Sequence, residues 1–152
     1  MDTYISDLAP YPPTRVNEPY QEKLIAVGWL NLNHPYAKGT VSQDFVRCLE
    51  LFCSNALLRI FGARPCTLCG NNEIVRVRLS SGKDVRLYGT YELRVPSIYG
   101  DRIYAFPDII LHYVLAHNYK PPQEFIDSVL CAPLPGTPEY EDFVAPWKRL
   151  FP

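Results

Sequence analysis

Two pairs of metal-ligating residues constrain this chain more than any other feature. Cys66 and Cys69 stand in a Cys-x-x-Cys-Gly turn, and such a turn directs two sulfurs at one point. His112 and His117 follow, with 42 residues between the second cysteine and the first histidine. Four such side chains complete the tetrahedron of a structural zinc site. The pattern therefore predicts Zn²⁺ bound by Cys66, Cys69, His112 and His117, with a buried thiol pair and a redox or catalytic pair as the alternatives.

The histidine spacing restricts the local backbone. A helix turns about 100° per residue, so a five-residue step leaves the two rings roughly 140° apart. Both rings reach one ion only if the helix loosens or ends between them. Asn118 tolerates a left-handed cap, and Pro121-Pro122 prevent continuation. We therefore expect the helix to end near His117, and we expect positive φ at Gly70 in the cysteine turn.

Two further residues are candidates for supporting the metal site. Asp108 precedes His112 by four residues, so its carboxylate is placed to orient that imidazole from outside the coordination sphere. The alternative is a first-turn acid that stabilises the helix dipole. His34 lies in a loop, where it is either a hydrogen-bonded structural residue or the base for a catalytic thiol.

Composition excludes several classes of protein. A chain of 152 residues is one domain by its length. Its formal net charge of −1 attracts neither nucleic acid nor a membrane surface, and we find no run of about 18 apolar residues that would span a bilayer. Five cysteines without a secretory leader indicate a reducing, cytoplasmic setting.

Hydrophobic periodicity predicts an α+β fold. A capping box at Thr40 opens a long N-terminal helix that runs to about Phe61, with Gly62 as its stop. A strand-like run over 23–32 precedes it. The cysteine turn then leads an antiparallel ribbon of about three to four strands, followed by two short helices. The ribbon strands are predicted over 73–79, 84–88, 90–95 and 102–106, and the helices from Pro107 and over 121–130.

Proline content divides the chain. Residues 1–22 and 132–152 are proline-rich, whereas 23–131 form the predicted single zinc-stapled domain. We expect the C-terminal segment, with a short helix at 137–142, to pack on that domain through Trp147, Leu150 and Phe151, because free aromatic tails aggregate.

Several motifs together resemble a group of small, uncharacterised bacterial proteins. The resemblance covers roughly 28–130 and implies that His34 belongs to the same constellation as the zinc ligands. That group has no established activity to transfer to this chain. The matching pieces are Gly28-Trp29-Leu30, His34-Pro35-Tyr36, Gly39, Cys66-x-x-Cys69-Gly70, Glu73-Ile74-Val75-Arg76-Val77, Tyr104-Ala105-Phe106-Pro107, His112-Tyr113-Val114, His117-x-Tyr119 and Pro121-Pro122-x-Glu124-Phe125-Ile126.

Basic residues gather in the predicted ribbon. Residues 73–103 include six Arg and Lys residues but only four Asp and Glu residues. Arg76 and Arg78 lie on the same face of a strand. That face is either solvated or a binding face for an acidic partner, phosphate or nucleic acid. Reading of DNA by the histidine-bearing helix is disfavoured, because that helix is almost entirely apolar.

Three functional classes remain after these exclusions. Four protein ligands leave zinc no open position for catalysis, so we predict a non-enzymatic, zinc-stabilised protein-interaction module of the immunity or adaptor kind. Its partner is another protein of unknown identity. The alternatives are a hydrolase or thiol enzyme that uses a cysteine with His34, and nucleic-acid or phosphate binding through Arg76 and Arg78.

Overall fold

The computed structural model describes residues 4–150. Within these residues the chain is α+β, with four helices and two small sheets. The strands are β1 (Leu24–Ala26), β2 (Val75–Arg78), β3 (Asp84–Leu87), β4 (Glu92–Pro96) and β5 (Ile103–Pro107). The helices are α1 (Gln43–Cys53), α2 (Ile110–Ala116), α3 (Gln123–Cys131) and α4 (Pro138–Lys148).

The larger sheet has the order β1-β5-β4 and carries the core. Its central strand β5 is buried at every position, as an apolar run between two neighbours requires. β1 pairs with β5 in parallel and β4 pairs with it antiparallel. Trp29 packs beside it and donates its indole N–H to the carbonyl of Ala105 at 3.0 Å. Because β5 leads almost directly into α2, this sheet fixes the start of the helix that bears the histidines.

Helices α1 and α3 cover the sheet with aromatic side chains. Phe106 of β5 contacts Phe52 of α1 and Phe125 of α3, with ring centroids 6.4 and 5.0 Å apart. Both pairs meet edge to face, the arrangement that aromatic rings prefer. α1 also packs against α2, so the position of α2 is fixed from two sides.

The predicted long N-terminal helix from Thr40 to Phe61 is wrong. α1 has 11 residues, starts inside the chain after Ser42, whose hydroxyl accepts from the Phe45 N–H, and ends at Cys53. Ser54 Oγ then bonds the Glu50 carbonyl at 2.7 Å, and this competes with further helical bonding. Leu58, which the prediction placed in this helix, lies beyond its end and pairs with Glu92 of β4. Phe61 is fully exposed and does not contribute to the core.

The predicted ribbon and helix number also need correction. Only β2 and β3 form the hairpin after the cysteine turn, whereas β4 and β5 belong to the other sheet. Pro107 does not open a helix, because it is the last residue of β5 and is paired with Glu92. Three helices follow the strands instead of two, because the short helix predicted at 137–142 is α4, which extends to Lys148.

Helix α4 joins the core through one face. Thr137 caps it by accepting from the Tyr140 N–H, and Tyr140, Val144 and Trp147 are buried at the spacing of a helix face. Tyr140 contacts Phe52 of α1, with ring centroids 6.2 Å apart. Among residues 4–150, no helix has both the length and the apolar character needed to cross a membrane.

A buried ion cluster, formed by Arg15, Glu18, Glu92 and Arg94, connects distant parts of the chain. Arg15 bonds Glu18 and Glu92 at 2.8 Å each, and Arg94 bonds the same two carboxylates at 3.2 and 2.9 Å. The Arg94 side chain is 0% exposed. Trp147 Nε1 also donates to Glu18 at 2.7 Å. The cluster therefore ties the N-terminal segment and α4 to β4.

Strong acid should weaken this cluster through Glu92. Burial acts to raise the pKa of Glu92, but Arg94 and Arg15 together outweigh it and hold the pKa below 4.5. A depressed folded-state pKa contributes stability that is present above the unfolded pKa and is lost as pH falls through the folded one. We expect the urea concentration at the midpoint of unfolding to decrease as the pH is lowered below about 4.5. Glu92→Gln should reduce this dependence of the midpoint on pH. Glu22→Gln, at an exposed position, serves as the control, and equal slopes in both variants would contradict the prediction.

Candidate metal centre

The cysteines lie in the loop that precedes β2, and hydrogen bonds hold this loop on both sides. Arg64 N donates to the Tyr88 carbonyl at 2.7 Å, and Leu32 N donates to Thr67 Oγ1 at 3.0 Å. Gly70 has φ of +75°, which confirms the predicted left-handed conformation, and glycine adopts it without a Cβ clash. The loop turns back between the two thiols, with Cys66 buried and Cys69 exposed.

The histidines lie at the two ends of α2. His112 is in the first turn, whereas His117 is the C-cap with φ −121° and ψ 16°. Asn118 follows with φ +54°, so the helix ends where the sequence predicted. The backbone of His117 is held by Tyr36, whose hydroxyl donates to the His117 carbonyl at 2.9 Å. The change of direction at the cap lets both rings point to one place.

The four predicted ligands converge. His112 Nε2 and His117 Nε2 are 3.2 Å apart, and Cys69 Sγ lies 3.2 and 3.3 Å from them. Cys66 Sγ is 3.4 Å from His117 Nε2, and all four atoms lie within 4.8 Å of one another. Usual zinc–ligand lengths give edges of about 3.3 to 3.8 Å for a regular tetrahedron. The group can therefore hold a metal ion, and the donor set and spacing fit zinc.

The environment of the ligands bears on how they coordinate. Burial raises the pKa of Cys66 to about 11, against the opposing effect of the Leu68 and Cys69 backbone N–H groups. Burial, and then the neighbouring His117, lowers the pKa of His112 to about 4. The imidazole is therefore neutral and ready to coordinate at neutral pH, whereas metal must displace the Cys66 proton. A thiol held protonated in this way is a poor nucleophile.

Asp108 makes contacts that the sequence does not reveal. It is buried, and its carboxylate accepts from the N–H groups of Tyr88 and Gly89 at 2.7 Å each. Among the described residues no hydrogen bond joins it to His112. Gly89 adopts φ +76°, and a Cβ there would collide with the Arg64 carbonyl. Asp108 thus fixes the turn after β3, against which the cysteine loop is hydrogen bonded.

Replacing Asp108 by asparagine tests what this carboxylate does. We expect the free energy of unfolding to fall by about 1–3 kcal/mol, because one of the two buried N–H groups loses its acceptor. Zinc affinity, measured by competition with a chromophoric chelator, should stay within a few-fold of the wild type. The control is Asp44→Asn on the exposed start of α1. A drop in zinc affinity of about 10–100-fold would instead show that Asp108 supports a ligand.

His34 lies near the metal centre but outside the ligand group. Its ring stacks on Tyr4, with centroids 3.8 Å apart and planes 6° from parallel. It lines a cavity of about 790 Å³ together with Leu68 and His117. In residues 4–150 no hydrogen bond connects the His34 ring to a cysteine, so a Cys–His34 catalytic pair has no support in this geometry.

The two predicted binding arginines have different surroundings. Arg78 forms a double hydrogen bond with Asp84, at 3.0 and 3.2 Å. Arg76 lines a second cavity, beside Cys69 and His112, and shares it with Arg86. Sequence reasoning did not single out Arg86. The sequence nevertheless contains the information needed to find Arg86. A hairpin that turns at Ser80–Lys83 places Arg86 opposite Arg76 in the antiparallel register.

Comparison with known proteins gives a family but no activity. A family model described as domain of unknown function DUF7919 matches residues 3–130, a span that includes all four ligands and ends before α4. No curated protein and no solved structure gives a significant match. The predicted likeness to an uncharacterised family is confirmed at that level, and the individual motifs stay a prediction. The chain belongs to the family of the domain of unknown function DUF7919.

Proposed function

We propose that this chain is a non-enzymatic protein-interaction module whose fold is held by one structural zinc ion. The observation that carries the proposal is the convergence of four ligand atoms within 4.8 Å. Two sulfurs and two imidazole nitrogens are the donors of structural zinc sites, and together they fill its coordination sphere. The proposal includes a reducing, cytoplasmic setting, which the five free cysteines support.

A zinc ion at this position would stabilise a segment of the chain that has little regular secondary structure. Between α1 and β2 the chain forms no helix and only one isolated bridge, at Leu58. Such a segment is ordered at a large entropic cost. Bound zinc would fasten Cys66 and Cys69 to the end of α2 and thereby hold the hairpin that follows.

Binding to a protein is favoured over catalysis for two reasons. A filled tetrahedron leaves zinc no position for water or substrate, and His34 does not reach the thiols. Three exposed apolar side chains lie near the candidate ligands, and such exposure is typical of an interaction surface. Leu32 is 64% exposed, Leu115 is 49% exposed and Ile74 is 37% exposed. Each lies close in sequence to a ligand or lines a cavity with one.

Elemental analysis tests the metal part of the proposal. We expect about one zinc per chain that survives dialysis, and its loss on Cys69→Ser or His117→Ala. Cys131→Ser is the matched control, because Cys131 is an exposed thiol outside the group. Purified protein without zinc that nevertheless folds fully would overturn the structural role.

Surface substitution tests the interaction part. The double change Leu32→Asp and Leu115→Asp should abolish a reproducible complex with a protein from the source cell while zinc content stays at one. Ile98→Asp, equally exposed on a different part of the fold, should leave the complex intact. Hydrolase activity that disappears on His34→Ala in a folded protein would favour the enzyme alternative instead.

A further inference from the structure

A cavity of about 590 Å³ lies directly beside the metal centre and carries an unbalanced positive charge. The candidate ligands Cys69 and His112 line it, and so does the β2–β3 hairpin. The hairpin contributes two arginines, Arg76 and Arg86. The remaining lining residues are Asn71, Glu73, Ile74 and Val75.

The two arginines face each other across the hairpin. Arg76 and Arg86 are partners in the antiparallel register, a position at which like charges repel. Neither side chain forms an ion pair or hydrogen bond with another residue in the described range 4–150. The next pair on the same face, Arg78 and Asp84, is compensated by a salt bridge at 3.0 Å. The hairpin thus places one balanced pair and one unbalanced pair side by side, and only the unbalanced pair lines the cavity.

The charges of the residues that line the cavity do not cancel. A divalent ion bound by two thiolates and two neutral imidazoles is neutral as a group. Glu73 is the one carboxylate among the lining residues, so two guanidinium groups leave a net charge of +1. Guanidinium groups bind carboxylate and phosphate oxygens through paired hydrogen bonds.

We propose that this cavity binds an oxyanion, either a phosphoryl group or a carboxylate, through Arg76 and Arg86. The site is too small and too weakly charged to follow a nucleic-acid backbone, which needs many phosphate contacts. The inference gives the proposed interaction module a chemical preference, for a ligand that presents an anionic group next to the metal centre. The inference depends on that proposed function in one respect only, namely that the natural ligand is a protein.

Titration with small anions tests the site itself. Inorganic phosphate and sodium acetate are added separately to the zinc-loaded full chain, with sodium chloride at equal ionic strength as the reference, and the Arg Nε–Hε signals are followed by NMR. Saturable shifts at Arg76 and Arg86 are the expected result. Tighter binding of phosphate assigns a phosphoryl ligand, and tighter binding of acetate assigns a carboxylate. Shifts no larger than those produced by chloride would overturn the proposal.

Substitutions separate the cavity from general surface charge. Arg86→Gln and Arg76→Gln should each weaken anion binding by roughly tenfold or more, since each removes a charge-assisted hydrogen bond. Arg78→Gln, in the neighbouring compensated pair, should leave it unchanged. Equal losses in all three variants, or binding of an oligonucleotide that depends on Arg78 as strongly as on Arg86, would overturn the site.

A charge reversal separates binding from folding. Arg86→Glu should raise the thermal midpoint of the free protein, because it turns a repulsive cross-strand pair into an attractive one, while it abolishes anion binding. A lower midpoint would show that Arg86 is structural and would count against the proposal. Zinc content is measured in every variant, so loss of the metal, which bears on the proposed function, is distinguished from loss of the anion.

Discussion

Replacing Cys66 by serine is expected to lower the thermal midpoint of this protein by roughly 8–16 °C. Zinc present at about 1,000 times its dissociation constant stabilises the folded state by about 4 kcal/mol, and Cys66→Ser removes one of its four ligands. The same variant would also break the proposed metal connection between the loop before β2 and α2. The measurement is a thermal scan of protein purified with excess zinc, with the metal content determined beforehand.

Matched controls decide what this loss means. Cys131→Ser should keep the midpoint of the wild type, because that thiol is exposed and outside the group. Adding a strong chelator should destabilise the wild type by a similar amount and leave Cys66→Ser unchanged. A midpoint for Cys66→Ser that equals the wild type would show that no metal holds the fold.

The second large effect is expected at Arg94. Arg94→Met should reduce the free energy of unfolding by about 3–5 kcal/mol, as removal of one partner from a buried ion pair does. Arg15 would then remain as the one cluster cation opposite two carboxylates, on Glu18 and Glu92, whose side chains are 1% and 8% exposed. Equilibrium unfolding in urea measures the change.

The hairpin supplies the control for this prediction. Arg78 also pairs with a carboxylate, but its side chain is 72% exposed, and exposed pairs contribute about 0–1 kcal/mol. Arg78→Met should therefore cost little. If the two variants lose the same small amount of stability, then the buried cluster is not a main support of the fold.

The grouping of Cys66, Cys69, His112 and His117 was predictable because its signal is local. A two-residue spacing directs the thiols of Cys66 and Cys69 to one point, and Asn118 with the following prolines indicates where α2 ends. These constraints act over a few residues, and the sequence contains them in full. The 42-residue gap between the pairs is bridged by packing, which no spacing rule describes.

The length of α1 was not predictable, because residues in the second half of the predicted helix pair instead with a distant strand. The periodic apolar residues continue to Phe61 in the sequence, which favours a longer helix. Leu58 instead pairs with Glu92, 34 residues later. Its full burial there is a tertiary gain that overrides local periodicity.

The strand pairing of the larger sheet and the buried ion cluster could not be predicted from the sequence for a related reason. The parallel pairing of β1 with β5 joins Leu24 to Ile103, and no turn signal marks such a pair. Arg94 is one of the basic residues of 73–103, and a charged residue in a strand is usually solvated. Its carboxylate partner Glu18 lies 76 residues earlier, and only the folded chain brings them together.

The hydrogen bond from Trp147 to Glu18 matters for how the protein is produced. Likeness to the family stops at residue 130, yet the indole that reaches Glu18 lies 17 positions beyond that limit. A recombinant version trimmed to the matched span would lose this donor and uncover the ring of Phe52 where Tyr140 rests. Truncation at the end of the matched span would thus remove a helix that packs on the core. The expressed protein should include residues at least through Lys148.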